Sequence, residues 1–358
     1  MRVGIIAWEY PPKHSGGLGV HLEGLISELK HCAELVVFMP ARNAPKTIAG
    51  VELVTFESDT HNHDFIADVN QKIVDYVKTH PLDILHAQDW VSYHAAISVK
   101  NLGLCPVVCS IHSTIHDRSG RFVREKNQHK TLEKKGLDAA DAVITVSEYT
   151  KKQLVRDFSI PAQKITVIPN AIRLEDVSKT TKKRKDVLFL GRITEQKGLE
   201  YVLYALRNSP HKLIVLGDGH LADATRSFAK LIGAHAEFRG FVREKKVIFD
   251  ALKNARAFVM PSVSEPFGIV ALEAFAAKCP AILSKYSGVS DFLQDKLHAL
   301  IIDPHKPQEI IDALACLDDE QFASKLAHNA YHLLEEGTFS WERVAKKTCD
   351  VYASILNI

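Results

Sequence analysis

At 358 residues the chain is too long for one comfortable hydrophobic core and about right for two domains. Hydrophobic residues make up 46% and charged residues 25%, an ordinary globular composition. With 45 Lys and Arg against 43 Asp and Glu there is no basic excess, which removes nucleic acid as the default partner.

Short β-branched runs alternate with longer apolar-periodic ones, a pattern that predicts parallel βαβ units. In the first half strands are expected at 2–8, 34–39, 51–56, 83–87, 106–111, 142–146 and 165–168, and helices at 18–30, 64–79, 91–102, 128–137 and 148–157. The chain enters its first strand at Val3 with no long apolar leader, and no stretch approaches the ~20 apolar residues of a membrane span. A cytoplasmic protein is expected. The six cysteines, Cys32, Cys105, Cys109, Cys279, Cys316 and Cys349, form no Cys-x-x-Cys pair and read as reduced thiols.

The pattern stops near residue 172. Residues 178–186 read SKTTKKRKD, without apolar period, and 173–185 is expected to be a linker. It then restarts, with strands expected at 186–190, 213–216, 236–240, 256–260, 280–284 and 299–302. The matching helices are at 198–208, 221–232, 243–253, 267–277 and 306–317. The last ~40 residues read as helix with a break near Gly337. The expected fold class is α/β, with two doubly wound, Rossmann-like domains facing a cleft, at 1–172 and 186–335.

Five segments carry candidate chemistry. Gly16-Gly17-Leu18-Gly19 lies between the first strand and first helix, where glycines let backbone approach a ligand and a helix N-terminus offers N–H donors. A packing turn reads equally well, and the spacing is not G-x-G-x-x-G, which disfavours a nicotinamide dehydrogenase. Gly191 to Gly198 (GRITEQKG) places Arg192 and Lys197 in a loop after a strand, where two cations can replace a metal opposite a leaving diphosphate. Two solvated loop charges are the plain alternative.

Residues 262–277 read SVSEPFGIVALEAFAA. Glu273 is the only charged residue from Pro266 to Ala277, so its carboxylate needs a ligand or a structural partner such as an internal Arg. Glu265 sits at the mouth of that helix and Gly268 at its start. Finally, His86-Ala87-Gln88-Asp89-Trp90 and Ser110-Ile111-His112-Ser113 end neighbouring strands, where ligands of parallel sheets bind.

Together these segments resemble the retaining GT-B glycosyltransferases of the glycogen and starch synthase type and their broader relatives. The glycine turn, His-Ala-x-Asp-Trp, the next His, Gly-Arg-x-x-x-x-Lys-Gly and Glu-x7-Glu occur in family order. Val167 to Ala171, Leu216 to Gly219 and Phe339 to Glu342 are similar too.

The resemblance implies that Arg192 and Lys197 neutralise the donor diphosphate. It implies that backbone near Gly17, Gly19 and Gly268 holds phosphate or sugar. Glu265 would bind hexose hydroxyls, Glu273 the ribose diol and His112 the donor sugar, while Asp89 and His86 would lie by the sugar or acceptor. The last helix, 340–358, would pack back on the first domain. His14 stands where bacterial glycogen synthases carry Lys, and Gln88 where they carry a second His.

The implied activity is retaining, metal-independent transfer of a hexose, expected to be glucose, from UDP- or ADP-glucose to an α-1,4-glucan. The nucleotide sugar is a co-substrate and no cofactor is expected. Transfer to a small-molecule or lipid acceptor is the alternative within the family, its cue the basic stretch 118–135. A GT-B nucleotide-sugar epimerase and a non-catalytic nucleotide-sugar-binding protein are the alternatives outside it.

Overall fold

The β-branched runs form strands and the periodic runs form helices. The computed structural model describes residues 1–13, 16–119, 128–174 and 185–358. His14, the 120–127 part of the basic stretch and the linker residues 175–184 lie outside them. The described chain divides into one unit of Met1–Ala171 with Ser340–Ile358 and another of Ile172–Phe339.

The first unit contains β1 (Arg2–Ile6), α1 (Gly17–Leu29), β2 (Glu34–Pro40), β3 (Glu52–Phe56), α2 (Asn62–Thr79), β4 (Ile84–Gln88) and α3 (Tyr93–Asn101). It continues with β5 (Val107–Ile111), α4 (Ile115–Ser119), α5 (Gln128–Ala139), β6 (Ala142–Thr145), α6 (Glu148–Phe158) and β7 (Ile165–Val167). Its seven strands are all parallel in the order β3-β2-β1-β4-β5-β6-β7.

The second unit contains β8 (Val187–Leu190), α7 (Leu199–Leu206), β9 (Leu213–Leu216), α8 (Ala222–Leu231), β10 (Ala236–Phe238), α9 (Lys245–Asn254) and β11 (Ala257–Met260). After these come α10 (Ile269–Ala276), β12 (Ala281–Ser284), β13 (Leu300–Ile302), α11 (Pro307–Cys316) and α12 (Glu320–Glu335). Its six parallel strands run β10-β9-β8-β11-β12-β13. Each sheet reverses its winding beside its first strand, between β1 and β4 and between β8 and β11. Ligands of doubly wound sheets bind at the carboxyl ends of such pairs. Among the described residues no helix is long and apolar enough to cross a membrane.

Two boundaries and one element differ from expectation for local reasons. The helix expected from 91 starts at Tyr93, because the Ser92 hydroxyl donates back to the carbonyls of Gln88 (2.8 Å) and Asp89 (2.7 Å) and holds a tight turn. The helix expected from 267 starts at Ile269, because Gly268 has φ +97°, outside the helical region. α4 was not expected; its single turn is held by Asp117, which accepts from the Thr114 backbone N–H at 2.8 Å.

Alternate residues of β2 serve opposite faces of the first sheet. Val37 and Met39 join Leu22, Leu25 and the final helix, α13 (Trp341–Leu356), while Val36 and Phe38 join the α2 and α3 side. Trp341 is 4% exposed and lies against Gly24 of α1; a Cβ added there would sit 2.1 Å from its ring. Two effects compete in Gly24→Ala. Helix propensity favours alanine by roughly 0.5–1 kcal/mol, whereas overpacking a filled site costs about 1–3 kcal/mol. The indole is enclosed and cannot swing aside, so the steric effect wins. Gly24→Ala is expected to lower the melting temperature, and a raised one would show that α13 yields.

Candidate active site

In the first unit β4 and β5 run side by side with Gln88 paired to Ser110, so the polar ends of both strands meet. The His112 ring donates from Nε2 to Gln88 Oε1 (2.8 Å), and its ring centroid lies 4.3 Å from that of His21 on α1. His21 Nδ1 is 2.8 Å from Asn170 Oδ1. Burial pushes the His112 imidazole down to about 4 and holds His21 well below its usual value, so both are neutral at pH 7.

Asp89 has φ +57°, a conformation that costs a non-glycine residue about 1–3 kcal/mol. Its carboxylate offsets that cost by accepting the His112 backbone N–H at 2.8 Å. Burial raises it to about 6 against the pull of Arg118 and the His112 and Ser113 amides. Asp89, expected beside the sugar or acceptor, is 9% exposed and anchors the 112–113 loop.

His86, likewise expected by the sugar or acceptor, is 1% exposed, with Nδ1 2.6 Å from the Tyr352 hydroxyl and Nε2 2.7 Å from Ser110 Oγ. α1 starts at Gly17 with no side-chain cap on its N-terminal N–H groups among the described residues, with Gly17 exposed and Gly19 buried.

In the second unit the loops after β8 and β11 interlock at the switch point. Gly198 has φ +63°, and a Cβ there would lie 2.4 Å from the Pro261 carbonyl oxygen, so only glycine allows the approach. The Val263 N–H donates to the Gln196 carbonyl at 2.9 Å. The contact delivers Lys197 to Glu265 as an ion pair, with side chains only 19% and 8% exposed. Ser262 Oγ is 3.4 Å from the same carboxylate oxygen. Arg192, in contrast, is exposed and has no partner among the described residues. Thr194 Oγ1, in the same loop, is buried and has no hydrogen-bond partner among the described residues; sequence reasoning did not single it out.

Glu265 is fixed from behind. Its N–H donates to the Tyr286 carbonyl (2.9 Å), and its carbonyl accepts from Gly288 N–H (2.8 Å). Gly268 brings the backbone close: a Cβ would meet Met260 at 2.7 Å and Glu265 Cγ at 3.3 Å. The N–H groups opening α10 have no side-chain cap. The carboxylate of Glu273, half-buried on α10, has no hydrogen bond or ion pair among the described residues, so the internal arginine partner does not occur there. Burial raises its carboxyl to about 7, partly offset by Lys245.

Within the second unit the arrangement offers an anion the charges of Arg192 and Lys197 and the N–H groups opening α10, and offers hydroxyl groups the carboxylates of Glu265 and Glu273. Two family models match, Glycosyltransferase Family 4 over residues 15–176 and Glycosyl transferases group 1 over 172–333. The chain is 30% identical to an uncharacterized glycosyltransferase of Methanocaldococcus jannaschii, covering 98% of each chain. It is 27% identical to a glycogen synthase of Mycobacterium tuberculosis, covering 98% of this chain and 94% of that one. Among solved structures, sucrose-phosphate synthase from Thermosynechococcus elongatus superposes with a TM-score of 0.81 at 19% identity, covering 99% of each chain. Anabaena HepE in complex with UDP-glucose does so with 0.79 at 17% identity, covering 99% of this chain and 100% of that one.

Proposed function

Because this chain belongs to the GT-B glycosyltransferases, we propose that it moves glucose from UDP- or ADP-glucose to an α-1,4-glucan, with retention and without a metal ion. The observation that carries the reading is the cation pair at the switch point of the second sheet. Arg192 has no partner among the described residues and Lys197 is paired with Glu265. A departing diphosphate gains its charge as the glycosidic bond breaks, and preorganised cations favour that state over the ground state.

Each residue then has one task. Arg192 and Lys197 take up the diphosphate charge, helped by the N–H groups opening α10, and backbone near Gly17 and Gly19 helps hold phosphate or sugar. Glu265 accepts from hexose hydroxyls, and Glu273 from the ribose diol. His112, neutral, contacts the donor sugar. No carboxylate is assigned as nucleophile, so acceptor attack on the face the leaving group vacates, through an oxocarbenium-like state, accounts for retention. The similarity to a glycogen synthase supports the glucan, and the UDP-glucose complex of HepE supports the donor class.

A donor screen by released nucleotide, with and without glucan, tests the reading. Glucan-dependent release from UDP- or ADP-glucose is expected; release that glucan leaves unchanged overturns the acceptor. Activity is also expected to persist in excess chelator. Its loss, with recovery on adding magnesium or manganese, would show that a metal rather than Arg192 and Lys197 carries the diphosphate charge.

A further inference from the structure

Leu85-His86-Ala87-Gln88 alternates apolar and polar side chains along a strand whose residues are all buried. His86 and Gln88 therefore point to the same face of the sheet. They form a chain that starts at the Tyr352 hydroxyl on α13 and ends at His112. Tyr352 lies 2.6 Å from His86 Nδ1, Gln88 Nε2 3.1 Å from His86 Nε2, and Gln88 Oε1 2.8 Å from His112 Nε2. Ser110 Oγ adds a contact of 2.7 Å to His86 Nε2.

Donor and acceptor accounting gives this chain a direction. An amide nitrogen only donates and an amide oxygen only accepts. His86 Nε2 must then be the accepting nitrogen, with the His86 proton on Nδ1 facing the Tyr352 oxygen. His112 Nε2 faces an oxygen and must carry the His112 proton. That leaves His112 Nδ1 with its lone pair and no partner among the described residues. The opposite tautomer would set two buried lone pairs against each other at the Gln88 oxygen, an unfavourable contact where water cannot intervene.

We propose that Gln88 is a positioning residue for the transfer reaction: it holds His112 as the Nε2–H tautomer, so that Nδ1 presents an acceptor to a hydroxyl of the donor sugar. The proposal rests on the reading of His112 as a donor-sugar contact. Gln88 is itself 0% exposed and touches no substrate; it acts through the imidazole. Burial keeps that imidazole neutral at pH 7, so a single tautomer can be held.

The test uses the full chain labelled with 15N-histidine. A long-range proton–nitrogen spectrum reports which nitrogen of each ring is protonated, and the signals missing in His112→Asn identify His112. The wild type is expected to carry the His112 proton on Nε2. Gln88→Leu removes the acceptor and is expected to shift His112 towards Nδ1–H. Nucleotide release from UDP-glucose or ADP-glucose should fall by about 10-fold, the scale of one hydrogen bond. Gln88→Glu still offers an acceptor and is expected to retain the Nε2–H form. A wild-type proton on Nδ1, or a tautomer unmoved by Gln88→Leu, overturns the proposal while His112 keeps its role. Normal turnover in His112→Asn overturns the role of His112 itself, and the proposal with it.

Discussion

Arg192→Ala is expected to lower turnover by about 100-fold or more while leaving the melting temperature where it was. The two halves of that expectation come from one observation: the guanidinium is exposed and bonded to nothing among the described residues, so the resting fold does not depend on it. Lys197→Ala is expected to lose turnover on the same scale, but with a cost in stability. Lys197 is paired with Glu265 in a partly enclosed site, and its removal leaves a poorly solvated carboxylate without a partner. Released nucleotide and a melting curve, measured on both variants, separate the roles. Near-normal turnover in both would remove the cation pair from the reaction. A stability loss in the Arg192 variant equal to that of Lys197 would mean the arginine is structural too.

Glu273→Gln is expected to weaken donor binding by roughly 10- to 100-fold, because hydrogen bonds to a charged group are worth about 1.5–3 kcal/mol. The amide keeps the volume of the carboxyl but presents a donor to a diol that needs acceptors. A pH dependence follows from the same group. Burial holds the carboxyl at about 7, so it is mostly protonated at pH 6 and mostly ionised at pH 8. Donor affinity in the wild type should therefore fall by roughly 10-fold from pH 8 to pH 6. Stability moves the other way. Between the ordinary glutamate value and about 7 the folded state binds more protons than the unfolded chain, so this group's contribution improves as pH falls. In Glu273→Gln both dependences on this group should vanish. Calorimetric titration of UDP-glucose or ADP-glucose at both pH values checks this; unchanged affinity in the variant, with a lowered melting temperature, would make Glu273 a structural residue.

The sheets, the restart after residue 185 and the loops holding Arg192, Lys197 and Glu265 were legible because each is local. A β-branched run or a Gly-Pro boundary announces itself within a few residues. What surrounds the first unit's histidines was not. His86 meets Tyr352 across 266 residues, and His21 meets Asn170 across 149. Such pairs follow from strand order and from which helix covers which face, which no window of sequence contains. That is why the internal partners of His86 and Asp89 were not legible in the sequence. One local signal was present: polar side chains two apart in a buried strand share a face and must bond each other or something between them. The pairing of Lys197 with Glu265 was likewise hidden, although both residues were identified, because it depends on Gly198 letting the two loops touch.

The docking of Trp341 on Gly24 bears on how the chain is made. The first unit is discontinuous: its core includes Trp341, Val344, Val351 and Tyr352, all encoded after the whole of the second unit. At roughly 5–20 residues per second, about 10–30 s of translation separate Ala171 from the arrival of those side chains. During that interval the apolar face of α1 is left uncovered beside the ribosome, a ready surface for a chaperone or for a neighbouring nascent chain. Emergence of α13 ends the exposure, and completion of the unit translated first waits on residues translated after the whole of the second.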